Sequence, residues 1–178
     1  TITPLTTEVV DTMNSDHLPV VTTLRLPVAQ AEDGQMRFAM ISDIQYADTD
    51  TPADSNRYYR DSVRKLQDAA AVINADDTTD FTIHTGDMGD RFRADFPEIM
   101  PSFRAIDGVR YNAIGNHDYN EGMTTAETLE ALDMHSQYYD VVQEGWRLVV
   151  LDTTAVSTFA TLDDPVAHAE AQAQLDAL

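Results

Sequence analysis

The sequence predicts an α/β fold, a mixed β-sheet sandwich flanked by helices, and three observations point to it. Runs at residues 36–41, 81–85 and 109–114 have strand length, and the first is almost fully apolar, as expected of a strand covered on both faces. Helical patterns at 56–74 and 96–106 separate them, giving the rhythm strand, helix, strand, helix, strand. Each strand run also stops at a polar signature: Asp43-Ile44-Gln45, Gly86-Asp87-Met88-Gly89-Asp90 and Gly115-Asn116-His117-Asp118. In a mainly parallel sheet with helices on its faces, ligands collect beyond the carboxyl ends of the strands, where all three signatures fall.

Taken in order, residues 1–35 read as an N-terminal extension. It carries Pro4, Pro19 and Pro27, a strand over 20–26 and a turn at Asp33-Gly34. After the first strand and the polar loop 48–55, apolar Tyr59, Val63, Leu66, Ala70 and Ile73 recur at steps of three and four. They make one helical stripe over 56–74, a crossover helix. The helix at 96–106 has Pro97 near its start and Pro101 as a break point. Residues 124–134 read as helical, and 138–143 with 146–151 flank Glu144-Gly145 as a hairpin that adds antiparallel strands to the sheet. Residues 165–178 form a final helix, with Pro165 suited to its first turn and Val166, Ala169 and Ala173 as its stripe. That helix looks unfinished, so the domain is expected to be incomplete at its C-terminus.

A chain of 178 residues buries one substantial core, and a second full domain is not expected. No apolar run is long enough to span a bilayer, so the chain reads as soluble, with cytoplasmic and exported locations both open. There is no cysteine, which excludes disulfides and thiolate metal sites and leaves carboxylate, amide and imidazole as ligands. Thirty-one acidic residues face 11 basic ones, Lys65 is the single lysine, and the net charge is -20. A nucleic-acid duplex or an anionic membrane would be repelled. The acidity fits either a heavily hydrated surface or adaptation to high salt, where repulsion is screened.

The three signatures carry the chemistry. Asp87 follows a glycine directly after a strand, where a carboxylate on a sharp turn can present both oxygens to two cations; it is the expected bridging ligand, against the plainer reading of a turn aspartate. Asp43 ends a buried strand, where an unpaired carboxylate is costly unless a cation or hydrogen bonds meet it, so it reads as a metal ligand or a loop cap. Gln45 offers a weak neutral oxygen on the same side. Asn116 offers an amide oxygen to a second metal, His117 a proton to a leaving oxygen, and Asp118 is expected to orient the imidazole; a capped polar turn is the plain alternative. Asp90 reads equally as an outer support of the site or a loop cap. His84 alternates with Ile83 and reads as a core or supporting histidine rather than a ligand, and His17, His135 and His168 as surface. Asp152, after the run 149–151, falls at the same rim. The loops 46–55, beginning at Tyr46, and 119–125 lie over the site as candidates for substrate contact.

These residues resemble the calcineurin-like metallophosphoesterases, whose pattern runs Asp-x-His, Gly-Asp-x-x-Asp, Gly-Asn-His-Asp/Glu, a later His and Gly-His-x-His. The second and third motifs match in full, and Gln45 stands where most members carry His. That departure, with Gln45-Tyr46-Ala47-Asp48 and Asn56-Arg57-Tyr58-Tyr59-Arg60 after it, is similar to the branch of manganese-dependent ADP-ribose/CDP-alcohol diphosphatases. The resemblance covers 36–178, the N-terminal part of such a domain, and the three later histidine ligands have no counterpart. It implies two divalent metal ions, Mn first and Fe or Zn as alternatives, with Asp43, Gln45 and Asp87 on one and Asp87 and Asn116 on the other. It further implies hydrolysis by a metal-bound hydroxide, with His117 as proton donor. The expected function is a phosphohydrolase acting on a phosphorylated small molecule such as ADP-ribose. The alternatives are a broader phosphomonoesterase or phosphodiesterase, and a truncated, non-catalytic binding protein whose site is completed by a second chain or a C-terminal segment.

Overall fold

A computed structural model describes residues 36–53 and 57–154, the backbone of two N-terminal strands, and single helical positions at 169, 173, 176 and 177. The N-terminal strands β1 (Thr3–Val9) and β2 (Val20–Arg25) pair antiparallel with a register shift between Pro4 and Thr6. The expected helix over 165–178 otherwise lies outside the described residues, as do His17 and His168.

Three strands, β3 (Phe38–Ile41), β4 (Phe81–His84) and β5 (Val109–Asn112), form a parallel sheet in that order. Met40 pairs with Ile83 and Ile83 with Tyr111, so the three strand ends finish level. Between them run α1 (Ser62–Asn74), entered through a 3-10 turn at Tyr59–Asp61, and α2 (Asp95–Arg104). Leu66, Ala70 and Ile73 of α1 and Ile99, Met100 and Phe103 of α2 close the core over one face of the sheet. The periodic stripe expected of the crossover helix is the buried one, although regular α-helix begins at Ser62, a turn and a half beyond the expected start. On the other face, rings line up, Phe38 stacked on Phe81 at 5.2 Å and Phe81 edge-on to Tyr111 at 5.4 Å.

Pro101 does not break α2. It lacks the N–H that would bond to residue 97, but the burial of Phe96, Ile99, Met100 and Phe103 outweighs that loss and the helix runs on to Arg104. After β5 come a 3-10 helix (Asn116–Gly122) and α3 (Thr125–Ala131), which opens on a complete capping box between Thr124 and Glu127. The hairpin β6 (Tyr139–Gln143) and β7 (Trp146–Val150) turns through Glu144 and Gly145, both at positive φ, as a two-residue hairpin turn requires. It differs from expectation in one respect: it forms its own two-stranded ladder instead of extending the parallel sheet. Side chains dock it, since the Tyr139 hydroxyl donates to the Asn112 carbonyl at 2.8 Å and accepts from the Asn112 N–H at 3.1 Å. These bonds satisfy the backbone N–H and C=O of Asn112 with a side chain in place of a strand partner. Among the described residues, no helix is long and apolar enough to cross a membrane.

Candidate metal site

The first two signatures are zipped together by backbone. Asp43 N–H donates to Gly86 O at 3.1 Å, Gln45 N–H to Asp87 O at 2.8 Å and Tyr46 N–H to Met88 O at 3.1 Å, while Asp90 N–H returns to Tyr46 O at 2.9 Å. To follow this path the chain bends sharply at the strand ends. Asp43, Gln45 and Asp87 all adopt left-handed backbone, with φ of 54°, 47° and 61°. Such conformations cost non-glycine residues about 1–3 kcal/mol each, and they persist where the surroundings over-determine them. The Ser62 hydroxyl at the start of α1 helps to do so by donating to Ile44 O at 2.7 Å.

The glycines of the second and third signatures let these two strand ends meet. A Cβ on Gly86, already at φ 108°, would lie 2.8 Å from the Gly115 Cα, and one on Gly115 would lie 2.1 Å from Asp87 Oδ1. Asp87 consequently stands between two half-sites. Its Oδ1 accepts the His117 N–H at 3.0 Å and its Oδ2 accepts the Gln45 Nε2 at 3.2 Å. Asp43 lies on the Gln45 side, with the Ser42 hydroxyl donating to its Oδ2.

His117 meets its carboxylate through Asp90. Its Nδ1 is 3.1 Å from Asp90 Oδ1 and 3.3 Å from Asp90 O, which leaves Nε2 on the side of the ring away from Asp90; the side chain is 31% exposed and Asp90 only 3%. Burial pushes the Asp90 carboxyl above its usual range, against the pull of His117, Arg91 and Arg57. Arg57 Nη1 lies 3.5 Å from Asp90 Oδ1 and Arg91 Nε 3.2 Å from Oδ2, and Arg91 also donates to the Tyr59 hydroxyl at 3.0 Å. Asp90 is thus the support of the site, with three basic groups around it.

Asp118 differs from the expectation that it orients the imidazole. Its fully buried carboxylate accepts four backbone N–H groups: Gly115 at 2.9 Å and Asp87 at 3.0 Å on Oδ2, Met88 at 2.9 Å and Gly89 at 3.3 Å on Oδ1. It ties the third signature to the second. Burial pushes its carboxyl up to about 7, with the Asp87 charge adding to the effect and the N–H groups of Gly115, Gly89 and Asp87 opposing it. The two aspartates exchange roles because the Asp118 carboxylate is taken up by backbone N–H groups, whereas Asp90, from a different loop, meets the His117 Nδ1.

Two further expectations resolve by burial. His84 lies in the core with its ring 5.8 Å from Phe103, and among the described residues neither ring nitrogen has a partner at hydrogen-bonding geometry. Tyr46 packs in the same core, so it supports the loop rather than facing a substrate. His135 is exposed beside Tyr139, at a ring separation of 5.2 Å. Among the described residues, no three His, Asp or Glu side chains converge on one point. Asp87 meets the Gln45 amide directly, while Asp43 adjoins it through the Gly86 backbone and Asn116 precedes His117, whose N–H Asp87 accepts; rotating the Gln45 amide would turn its oxygen to the place its nitrogen now holds. Carboxylate and amide oxygens are the donor types that a hard divalent cation takes. What sequence reasoning missed is Arg91, which directly follows the second signature, and the bond between Tyr119 and Asp152, for which spacing offers no sign.

Two carboxylates, two amides and a carboxylate-held histidine thus follow the ends of parallel strands, and the comparisons give the family. Residues 36–167 match the family model described as calcineurin-like phosphoesterase, and the chain belongs to that family. A manganese-dependent ADP-ribose/CDP-alcohol diphosphatase from Arabidopsis thaliana is 33% identical over 135 residues, covering 67% of this chain and 43% of that protein. The fold is shared with a dimetal phosphatase from Danio rerio, at a TM-score of 0.57 and 22% identity, over 76% of this chain and 50% of the other. The chain therefore spans half or less of the length of these relatives.

Proposed function

We propose that the protein is a phosphohydrolase that cleaves a phosphoanhydride or phosphoester of a nucleotide-linked small molecule such as ADP-ribose. The observation that carries this reading is Asp87, whose two oxygens face the Gln45 and the Asn116–His117 half-sites at once. Asp43, Gln45 and Asp87 would hold one divalent ion, and Asp87 and Asn116 a second. Two such ions supply charge neutralisation for a phosphoryl group and a water of lowered pKa. The family and the manganese dependence named for the plant relative favour Mn²⁺.

The chain's own residues would do the rest. With Nδ1 held at Asp90, the imidazole has Nε2 on the side away from Asp90, where a proton on it can pass to the leaving oxygen. Asp118 keeps the two loops at fixed separation through its four N–H contacts, so the ligand carboxylate and the imidazole move as one body. Asp87 and Asn116 alone would leave the second ion short of donors, and further ligands from a following segment or a partner chain would complete it.

The deciding experiment is Mn²⁺-dependent hydrolysis of ADP-ribose, run beside Mn²⁺ binding, with Asp87→Asn as the control. Turnover and Mn²⁺-induced stabilisation, both lost in Asp87→Asn, are expected. Absence of both in the unaltered protein would replace this reading with that of a non-catalytic binding protein.

A further inference from the structure

Asp152 lies behind the third signature, and we propose that it is a positioning residue that acts through Tyr119 to hold Asn116 and His117 in place. The inference rests on the reading of His117 as the proton donor. A carboxylate only 2% exposed is costly unless donors surround it. Here Oδ1 accepts the N–H of Thr154 at 2.9 Å and its hydroxyl at 2.6 Å, and Oδ2 accepts Gln137 Nε2 at 2.6 Å and the Tyr119 hydroxyl at 2.9 Å. Thr154 and Gln137 anchor the carboxylate to the base of the hairpin. Among the bonds of the described residues, that of Tyr119 reaches into the segment that carries the site.

That segment is the 3-10 helix Asn116–Gly122, seven residues in a conformation that seldom persists beyond three or four. It needs support from outside. Asp118 binds it inward to the second signature, and the Thr128 hydroxyl donates to Asp118 O at 3.3 Å from α3. The Tyr119–Asp152 bond is a third tie, from the hairpin side. In a 3-10 helix residues three apart eclipse each other, so a fixed Tyr119 sets the azimuth of Asn116 one turn before it, and with it that of His117. The hairpin takes part in the site by this route while contributing no ligand.

Tyr119→Phe removes the hydroxyl and keeps the ring that packs on the core, so it is the variant that preserves the fold. It is compared with Asp152→Asn and the double variant in two measurements. The first is ¹H–¹⁵N NMR of the His117 ring in metal-free protein, which reports whether Nδ1–H still bonds to Asp90. Both single variants are expected to shift His117 toward the Nε2–H tautomer, and the double variant to shift it no further. The second is Mn²⁺ affinity, expected to weaken about tenfold in each single variant and equally in the double. A His117 signature unchanged in Tyr119→Phe, with only the melting temperature lowered, would overturn the proposal and leave a packing role. Should the unaltered protein bind no Mn²⁺, the metal reading fails alone, and the His117 signature still decides the role of Asp152.

Discussion

At the residue scale, close approach sets the strictest limits. Gly115 admits no side chain because its Cβ would stand 2.4 Å from the Asp87 backbone nitrogen as well as 2.1 Å from Oδ1. Gly115→Ala is expected to destabilise the fold by about 2 kcal/mol in urea titrations and to abolish Mn²⁺-induced stabilisation, since Asp87 must move to relieve the clash. Asp118→Ala strands four N–H groups, and a loss of about 3 kcal/mol is expected by the same measurement, whereas Asp90→Asn should alter the His117 tautomer far more than stability. His84 contributes a destabilisation by acid. Burial pushes its imidazole down to about 4, slightly opposed by Asn112, the Asp43 charge and the Gly86 backbone. Because the folded value lies below the unfolded 6.5, protons bind the unfolded chain preferentially as the medium acidifies. The contribution of His84 to stability, present above pH 6.5, is therefore expected to fall by about 3 kcal/mol toward pH 4. It is read as the difference in denaturant unfolding between the unaltered protein and His84→Leu, because the Asp118 carboxyl, pushed up to about 7, favours the fold as pH falls over the same range.

At the scale of elements, strands and helices were legible where local pattern and burial agree. The stripe Leu66, Ala70 and Ile73 reads directly from spacing because one face of a crossover helix must meet the sheet. Glu144-Gly145 is legible for a different reason, since few residue pairs accept positive φ at both turn positions. Pro101 misleads, because its cost is local while the packing that overrides it comes from α1 and the sheet. The short α3 depends on its cap: Thr124 accepts the Glu127 N–H at 3.4 Å and Glu127 accepts the Thr124 N–H at 2.8 Å. Thr124→Ala is expected to cost about 1 kcal/mol, measured as a lowered urea midpoint with unchanged slope. A larger loss would show that α3 supports the site segment through Thr128 more strongly than its single hydrogen bond suggests.

At the scale of the molecule, charge dominates. A net charge of -20 on 178 residues makes self-repulsion a term in folding, and raising salt from 0.1 to 1 M shortens the screening length from about 10 to 3 Å. If the acidity is an adaptation to salt, the melting temperature should rise by at least about 3 °C across that range, equivalent to roughly 1 kcal/mol. A flat response would identify the acidic surface as merely hydrated. Against the same field the basic groups around Asp90 stand out, because Arg57, Arg91 and His117 cluster on a predominantly acidic chain.

The amino-acid sequence by itself determined the order of strands and helices, the placement of the three signatures at strand ends and the types of donor available. These follow from local periodicity and from turn chemistry, which act over a few residues. The exchange of roles between Asp90 and Asp118, the enclosure of His84 and Tyr46, and the link from Asp152 to Tyr119 were decided only by the tertiary structure. Each joins segments about 30 residues apart or more, or turns on which face a neighbouring element covers, and spacing along the chain holds no information about the direction from which a second loop arrives. The two motif glycines sit at the boundary between these cases. Their presence was readable at once, while their reason, two backbones passing within a side chain's width, exists only in three dimensions.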